Sequence, residues 1–180
     1  VGALDNHAGG ALISQGKLEV SADSLDNRDA GTLSSKADLQ VATVSLLNQG
    51  GRIVSEGALN LSSAALDNSQ QGTVSSKGSA RVEVASLNNR SGGSLVTDGS
   101  LLLIAKRVDN SAQGHIAAQG DLNAQIDVLE QRSGELLSQG KANIDAWWIS
   151  LSTFAVLAIT LLLLTCMGDS LRDALDPRKV

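Results

Sequence analysis

The chain has 180 residues, a net charge of −5 and 42% hydrophobic residues, yet only 2% of its residues are aromatic. One cysteine excludes an internal disulfide framework and a cysteine-based zinc cluster, and the two histidines lie far apart. The acidic balance argues against nucleic acid as a partner. We therefore expect no enzymatic activity, and we predict no catalytic, cofactor-binding or metal site.

The composition changes near residue 145. Residues 1–145 contain 17 of the 18 glycines, whereas residues 146–167 contain no charged side chain. The last stretch, residues 168–180, is charged again. The sequence therefore predicts two regions, 1–145 and 146–180.

A unit of about 21 residues recurs throughout the first region. Each copy begins with a glycine, has a second small residue six positions later, and ends in a triplet similar to Leu-Asp-Asn. Aliphatic residues recur at matching positions, such as Leu18, Leu39 and Leu59, and a second aliphatic column follows two residues later. A spacing of two is typical of a strand, and no copy shows the stripe of a helix. We expect the glycines at corners that need positive φ.

These features predict an all-β fold, a right-handed parallel β-helix of about seven 21-residue coils, followed by a C-terminal apolar α-helix. With strands about 4.8 Å apart, the coils would form a rod roughly 30 Å long. The aliphatic columns would stack into one core too narrow for aromatic rings, and each coil would need its neighbours to bury that face. Unpaired edges at the outer coils favour end-to-end self-association.

Each coil also carries a polar residue at one repeated position. An asparagine column consists of Asn6, Asn27, Asn48, Asn68, Asn89 and Asn110. Stacked amides can hydrogen-bond from coil to coil, and asparagine tolerates the left-handed conformation at corners. We interpret this column, and a serine and threonine column beside it, as structural ladders. A calcium-binding β-roll is the alternative, but it needs nine-residue repeats that the sequence lacks.

The string LDNHAGGALISQGKLEVSADSLDN resembles the filamentous haemagglutinin repeats of large bacterial exoproteins. These include adhesins of two-partner secretion systems and contact-dependent growth-inhibition proteins. The resemblance covers residues 1–145 and implies a structural or adhesive stalk, secreted or displayed at the cell surface. It implies an unidentified ligand on a host cell or a neighbouring cell as partner. We expect the chain to be a fragment of a longer stalk or a fusion.

The uncharged stretch 146–167 is long enough for a membrane helix, about 33 Å at 1.5 Å per residue. Trp147 and Trp148 lie at one end, as residues of the membrane interface do. Basic residues follow the other end, so the C-terminus is expected to be cytoplasmic and the chain membrane-anchored. A buried core helix or a cap on the β-helix is the alternative.

The tail, WWISL followed by GDSLRDALDPR, resembles the C-terminal end of dipeptide and oligopeptide ABC transporter permeases. The match extends over residues 146–180 and includes none of the transport machinery, because a lone helix cannot enclose a substrate path. We therefore favour a stalk fused to a permease-like tail. There are two alternatives. The chain could be a membrane-protein remnant without transport activity of its own, or a non-functional fusion product.

Overall fold

The computed structural model describes residues 1–145, 158–160 and 165. The chain divides into two units, Val1–Asp145 and Ala146–Val180. All of the described strands belong to the first unit, and in the second unit residues 158–160 and 165 are helical.

The first unit alternates short and long strands. In chain order they are β1 (Ala3–Asp5), β2 (Ala11–Ser14), β3 (Leu18–Asp26), β4 (Thr32–Ser35), β5 (Leu39–Leu47), β6 (Arg52–Ser55), β7 (Leu59–Asp67), β8 (Thr73–Ser76), β9 (Ala80–Asn88), β10 (Ser94–Thr97), β11 (Leu101–Asp109), β12 (His115–Ala118), β13 (Leu122–Glu130), β14 (Glu135–Ser138) and β15 (Ala142–Asp145).

These strands form two parallel sheets. One sheet has the order β1-β3-β5-β7-β9-β11-β13-β15, and the other has the order β14-β12-β10-β8-β6-β4-β2. Every pairing joins equivalent strands of successive repeats, so that Leu39 lies opposite Leu18 on one side and opposite Leu59 on the other. Each repeat is therefore one turn of a parallel β-solenoid, and the all-β prediction is confirmed.

The number of complete turns is smaller than the sequence predicts. The described residues form about six turns instead of about seven. The right-handed sense of the coil remains a prediction.

The core is a continuous stack of aliphatic side chains along the inside of the solenoid. Leu39, Leu59 and Leu101 are each about 1% exposed or less, as the repeat spacing predicts. One inward column was not predicted, because its residue type changes from turn to turn. Its buried members are Ala22, Ser63, Val84, Ala105 and Ile126.

The predicted reason for the first glycine of each repeat is wrong. Positive φ falls instead on the residues before it, such as Asp29 (52°) and Ala30 (64°). A Cβ atom on Gly31 would lie 2.7 Å from the carbonyl oxygen of Asn27, and closer still to that of Asn6 in the preceding turn. Glycine is therefore required here by the close approach of adjacent turns.

The predicted helix over residues 146–167 lies outside the described residues, apart from the helical residues 158–160 and 165. Trp147 and Trp148 also lie outside them. Among the residues that the structure describes, no helix is both long and apolar enough to cross a bilayer. The membrane segment therefore remains a prediction.

Candidate functional site

The asparagine column forms a hydrogen-bonded ladder along the solenoid. Nδ2 of Asn6 donates to Oδ1 of Asn27 at 2.7 Å, and Asn27 donates in the same way to Asn48 at 2.7 Å. The chain of amides continues through Asn48 to Asn68, Asn68 to Asn89 and Asn89 to Asn110, at 2.7, 2.8 and 2.8 Å. From Asn27 onward, each of these side chains is fully buried.

Each ladder amide also donates a hydrogen bond to a backbone carbonyl group. Asn27 Nδ2 lies 3.2 Å from the carbonyl oxygen of Arg52, and Asn48 Nδ2 lies 3.2 Å from that of Thr73. Asn110, which is followed one turn later by Gln131, donates to the carbonyl of Glu135 at 2.8 Å. The ladder therefore ties each corner both to the next corner and to the start of the next short strand.

An aspartate precedes four of the six ladder asparagines and has a different task. Asp26 Oδ1 accepts the backbone N–H of Arg28 at 3.1 Å, and Asp67 Oδ1 accepts that of Ser69 at 3.1 Å. These are Asx turns, in which a carboxylate replaces a backbone acceptor at a bend. The Leu-Asp-Asn triplet thus combines a core residue, a turn-forming carboxylate and a ladder amide. Its aspartate was not predicted to have this particular bond.

The serine column binds backbone carbonyl groups. Ser55 Oγ lies 2.8 Å from the carbonyl oxygen of Ala37 in the preceding turn and 2.9 Å from that of Ala58 in its own turn. Ser138 repeats the first of these contacts, at 3.0 Å from the carbonyl oxygen of Gly120. The hydroxyls therefore bridge turns at the second corner. Ala118 occupies the same buried position without a hydroxyl.

Charged side chains at the second corner alternate in sign. Lys36 Nζ contacts one carboxylate oxygen of Glu56, and Lys77 Nζ lies 3.4 Å from the other. The hydrogen bond from Lys36 is the main cause of a lowered pKa of the Glu56 carboxyl. Because these groups are exposed, solvent weakens their attraction. They favour correct stacking of the turns and do not form a pocket.

One group of three possible metal ligands occurs among the described residues. Oxygen and nitrogen atoms of Asp5, His7 and Asp26 lie within 4.8 Å of one another. However, Arg28 Nη2 is 2.6 Å from an Asp26 carboxylate oxygen, so that a positive charge already neutralises this acid. The hydrogen bond with Asp5 raises the pKa of His7, which favours the protonated ring that cannot bind a cation. The cluster is best described as surface ion pairs.

The outer side of the long-strand sheet contains a row of planar polar side chains, interrupted by one leucine, that the sequence analysis missed. Its members, Gln40, Asn60, Arg81, Leu102 and Asn123, lie opposite one another on β5, β7, β9, β11 and β13. We call these five residues the amide face. Two depressions of about 260 and 440 Å³ border it and share Asn60 and Arg81. Residue type varies along the row, so no periodic signal reveals it in the sequence.

Stacked repeats, a single internal core and a buried amide ladder define a parallel β-solenoid. Comparison with protein families is consistent with this class, because the haemagglutinin repeat matches residues 13–106 and 76–146. The chain belongs to the haemagglutinin repeat family, as the resemblance implied. This is a structural and adhesive family and is not known for enzymatic activity. No solved structure matches the chain significantly.

A second similarity is to membrane permeases. The chain is 48% identical over 45 residues to the peptidoglycan transport system permease YejE of Agrobacterium fabrum, and 50% identical over 45 residues to the inner membrane ABC transporter permease YejE of Escherichia coli. Each match covers 25% of this chain, but only 12% and 13% of the two permeases. The permease-like tail is therefore shown as a similarity, and the transport activity of those proteins does not follow from it.

Proposed function

We propose that the chain is a stalk segment of a haemagglutinin-like exoprotein that holds other parts of the protein away from the cell. Family membership supports an exported protein, because haemagglutinin repeat proteins are typically secreted or located at the cell surface. The single observation that carries the proposal is the unbroken stacking of equivalent strands in both sheets. An exported stalk needs rigidity and length rather than a reactive centre.

The mechanism of such a stalk is geometric. Six turns at about 4.8 Å each extend the rod by about 29 Å, and further repeats would lengthen it in proportion. Every turn is joined to the next by backbone ladders, by the buried asparagines and by the corner serines. Bending the rod would have to break several of these bonds at once. We infer that the segment acts as a stiff spacer.

Two-partner secretion is the export route that we propose, with adhesion or contact-dependent growth inhibition as the activity of the whole exoprotein. The support is the resemblance of the repeats to those of such proteins, together with the family match. The partner would then be a ligand on a host cell or a neighbouring cell. The solenoid would set the distance between that ligand and the producing cell.

Surface display can be tested with an epitope tag between Gln70 and Gln71, which are exposed at a corner. We expect external protease to remove the tag from intact cells of the producing bacterium. A matched tag on a cytoplasmic protein of the same cells should survive. If the stalk tag were lost only after lysis, the proposed function would be wrong.

A membrane-anchored remnant of a peptide permease is the second candidate, and the YejE similarity favours it. In this case residues 146–167 would span the membrane with the C-terminus in the cytoplasm. Peptide uptake in a strain that lacks its own peptide permease separates the two candidates. We expect no uptake with the present chain, and restored uptake would contradict the stalk proposal.

We also propose that solenoids associate end to end. Within the described chain, β2 and β14 are the outermost strands of the short-strand sheet, and Ile13 and Leu137 on them are 61% and 52% exposed. Such strands present free backbone groups to a further chain. Size-exclusion chromatography at increasing concentration should show growing oligomers. A strict monomer at high concentration would contradict this proposal.

A further inference from the structure

The solenoid has two columns of amide side chains, one hydrogen-bonded inside the protein and one on its outer surface. Inside, each asparagine amide is bonded to the next, as between Asn27 and Asn48. On the amide face, Gln40 and Asn60 lie opposite each other on neighbouring strands. Within the described part of the chain, the amides of Gln40 and Asn60 have no protein hydrogen-bond partner. Their donors and acceptors are therefore available to a ligand.

The amide face carries no excess of positive charge. Arg81 Nη2 donates to Glu83 Oε2 at 2.9 Å, so the one cation of the row is paired with the carboxylate beside it. Glu19 lies opposite Gln40 at one end of the row, and Asp121 lines the larger depression. An anionic ligand would meet these carboxylates as well as the guanidinium. The charge pattern therefore favours an uncharged ligand and disfavours nucleic acid or an acidic polysaccharide.

Apolar side chains interrupt the polar row in one place. Leu102 and Ile104 are half-buried on the outer side of β11. Leu102 lies between Arg81 and Asn123, whereas Ile104 lies beside the row, between Glu83 and Gln125. Binding sites for small polar molecules commonly combine an apolar surface with a few groups that hydrogen-bond. A sugar ring has this combination, because its C–H groups form an apolar face and its hydroxyls lie around the edge.

The spacing of the row selects an extended ligand. Neighbouring strands are about 4.8 Å apart, so the five side chains from Gln40 to Asn123 span about 19 Å along the rod. One ring of an extended 1,4-linked sugar chain covers slightly more than one strand spacing. Successive rings would therefore stay roughly aligned with successive side chains over the length of the row. Planar amides both donate to and accept from hydroxyl groups.

We propose that the amide face binds an extended, uncharged, 1,4-linked polysaccharide that lies along the axis of the solenoid. Gln40 and Asn60 hydrogen-bond the hydroxyls, while Leu102, with Ile104 beside it, supports the apolar side of a ring. The binding site gives the stalk a flank that can attach to a glycan surface. It rests on the proposed function only because the face must be displayed outside the cell.

Isothermal titration calorimetry with the purified 180-residue chain tests this proposal. The probes are 1,4-linked oligomers of glucose, mannose and N-acetylglucosamine with two to six rings, together with an acidic oligomer of galacturonate. We expect at least one neutral series to bind, with affinity that rises up to about five rings, the length of the row. Asn60→Ala should weaken binding about fivefold, as the loss of one good hydrogen bond does.

Gln15→Ala is the matched control, because Gln15 is an exposed amide without a described partner at a corner away from the amide face. Its affinity should equal that of the unaltered chain. The proposal fails if no neutral oligomer binds at millimolar concentration, if the galacturonate oligomer binds more tightly, or if Asn60→Ala and Gln15→Ala behave alike. None of these outcomes changes the protease test of surface display, so the two proposals can fail separately.

Discussion

Asn27 and Asn48 lie one turn apart in the solenoid, and Nδ2 of Asn27 donates to Oδ1 of Asn48 at 2.7 Å while both side chains are fully buried. A buried amide is costly unless its donors and acceptors are used. The ladder satisfies this requirement only if successive turns remain in register. It therefore links local turn geometry to the stacking of the whole rod.

Replacing Asn48 by alanine should destabilise the fold strongly. The substitution leaves the amide of Asn27 without its acceptor and the Oδ1 of Asn68 without its donor. Each buried polar group left without a hydrogen-bond partner costs about 1–3 kcal/mol, so we expect a loss of about 3 kcal/mol in the free energy of unfolding. Urea denaturation followed by circular dichroism measures this loss. Asn60→Ala, at an exposed amide, should change stability by less than about 0.5 kcal/mol. Equal effects at the two positions would contradict a role of the ladder in stability.

A charge placed inside the core should disrupt several turns. Leu61 is 2% exposed and points inward, whereas the preceding residue, Asn60, is exposed on the outer side of the same strand. Leu61→Asp should cost several kcal/mol because the carboxylate has no partner in the aliphatic stack. Asn60→Asp should have little effect, since it lies opposite Arg81. Limited proteolysis should show cleavage of the first variant only. Resistance of Leu61→Asp would show that this column is not a continuous core.

The first glycine of a repeat should not tolerate a methyl group, whereas Gly16, the second glycine of the first repeat, should. A Cβ atom on Gly72 would lie 2.7 Å from the carbonyl oxygen of Asn68 and closer still to that of Asn48. Gly72→Ala should therefore lower the midpoint of thermal unfolding by several degrees. Gly16→Ala is the control, because nothing lies within 4 Å of its added Cβ. A neutral effect at Gly72 would mean that adjacent turns are spaced more widely.

A missing hydroxyl in the serine column offers a stabilising substitution. Ser55 contacts the carbonyls of Ala37 and Ala58, and the equivalent carbonyls near Ala118 are those of Gly99 and Asp121. Ala118→Ser should raise the free energy of unfolding by about 0.5–1.5 kcal/mol, the net value of one hydrogen bond. Ser55→Ala should lower it by a similar amount. If both changes destabilised the protein, the serine contacts would not be the relevant interactions.

The repeat made most of the fold predictable. Nearly constant spacing places Leu39 between Leu18 and Leu59, and this arrangement requires only that hydrophobic columns be buried together. The inward column through Ala22 and Ile126 was missed, because a narrow core accepts either a small or a branched side chain at that position. A periodicity search finds positions with constant residue type, whereas packing depends on volume.

The corners and the outer surface were harder to predict. The glycine before β4, Gly31, was assigned to positive φ, although the contact that requires it is with Asn6, 25 positions earlier in the chain. Such a contact becomes visible only when turns are stacked at their true spacing. The amide face was not predicted for a related reason. Gln40, Arg81 and Leu102 differ chemically, and only the strand register shows that they form one row.

The distance between two nitroxide spin labels is the most direct test of the stacking. Ser34 and Ala117, both half-buried on the outer side of the short-strand sheet, are four pairings apart through Val54, Ser75 and Val96. With cysteines at these two positions and Cys166 replaced, double electron–electron resonance should give a narrow distribution near 19 Å, or four strand spacings. A broad distribution, or a separation well beyond that length, would show that residues one repeat apart do not stack.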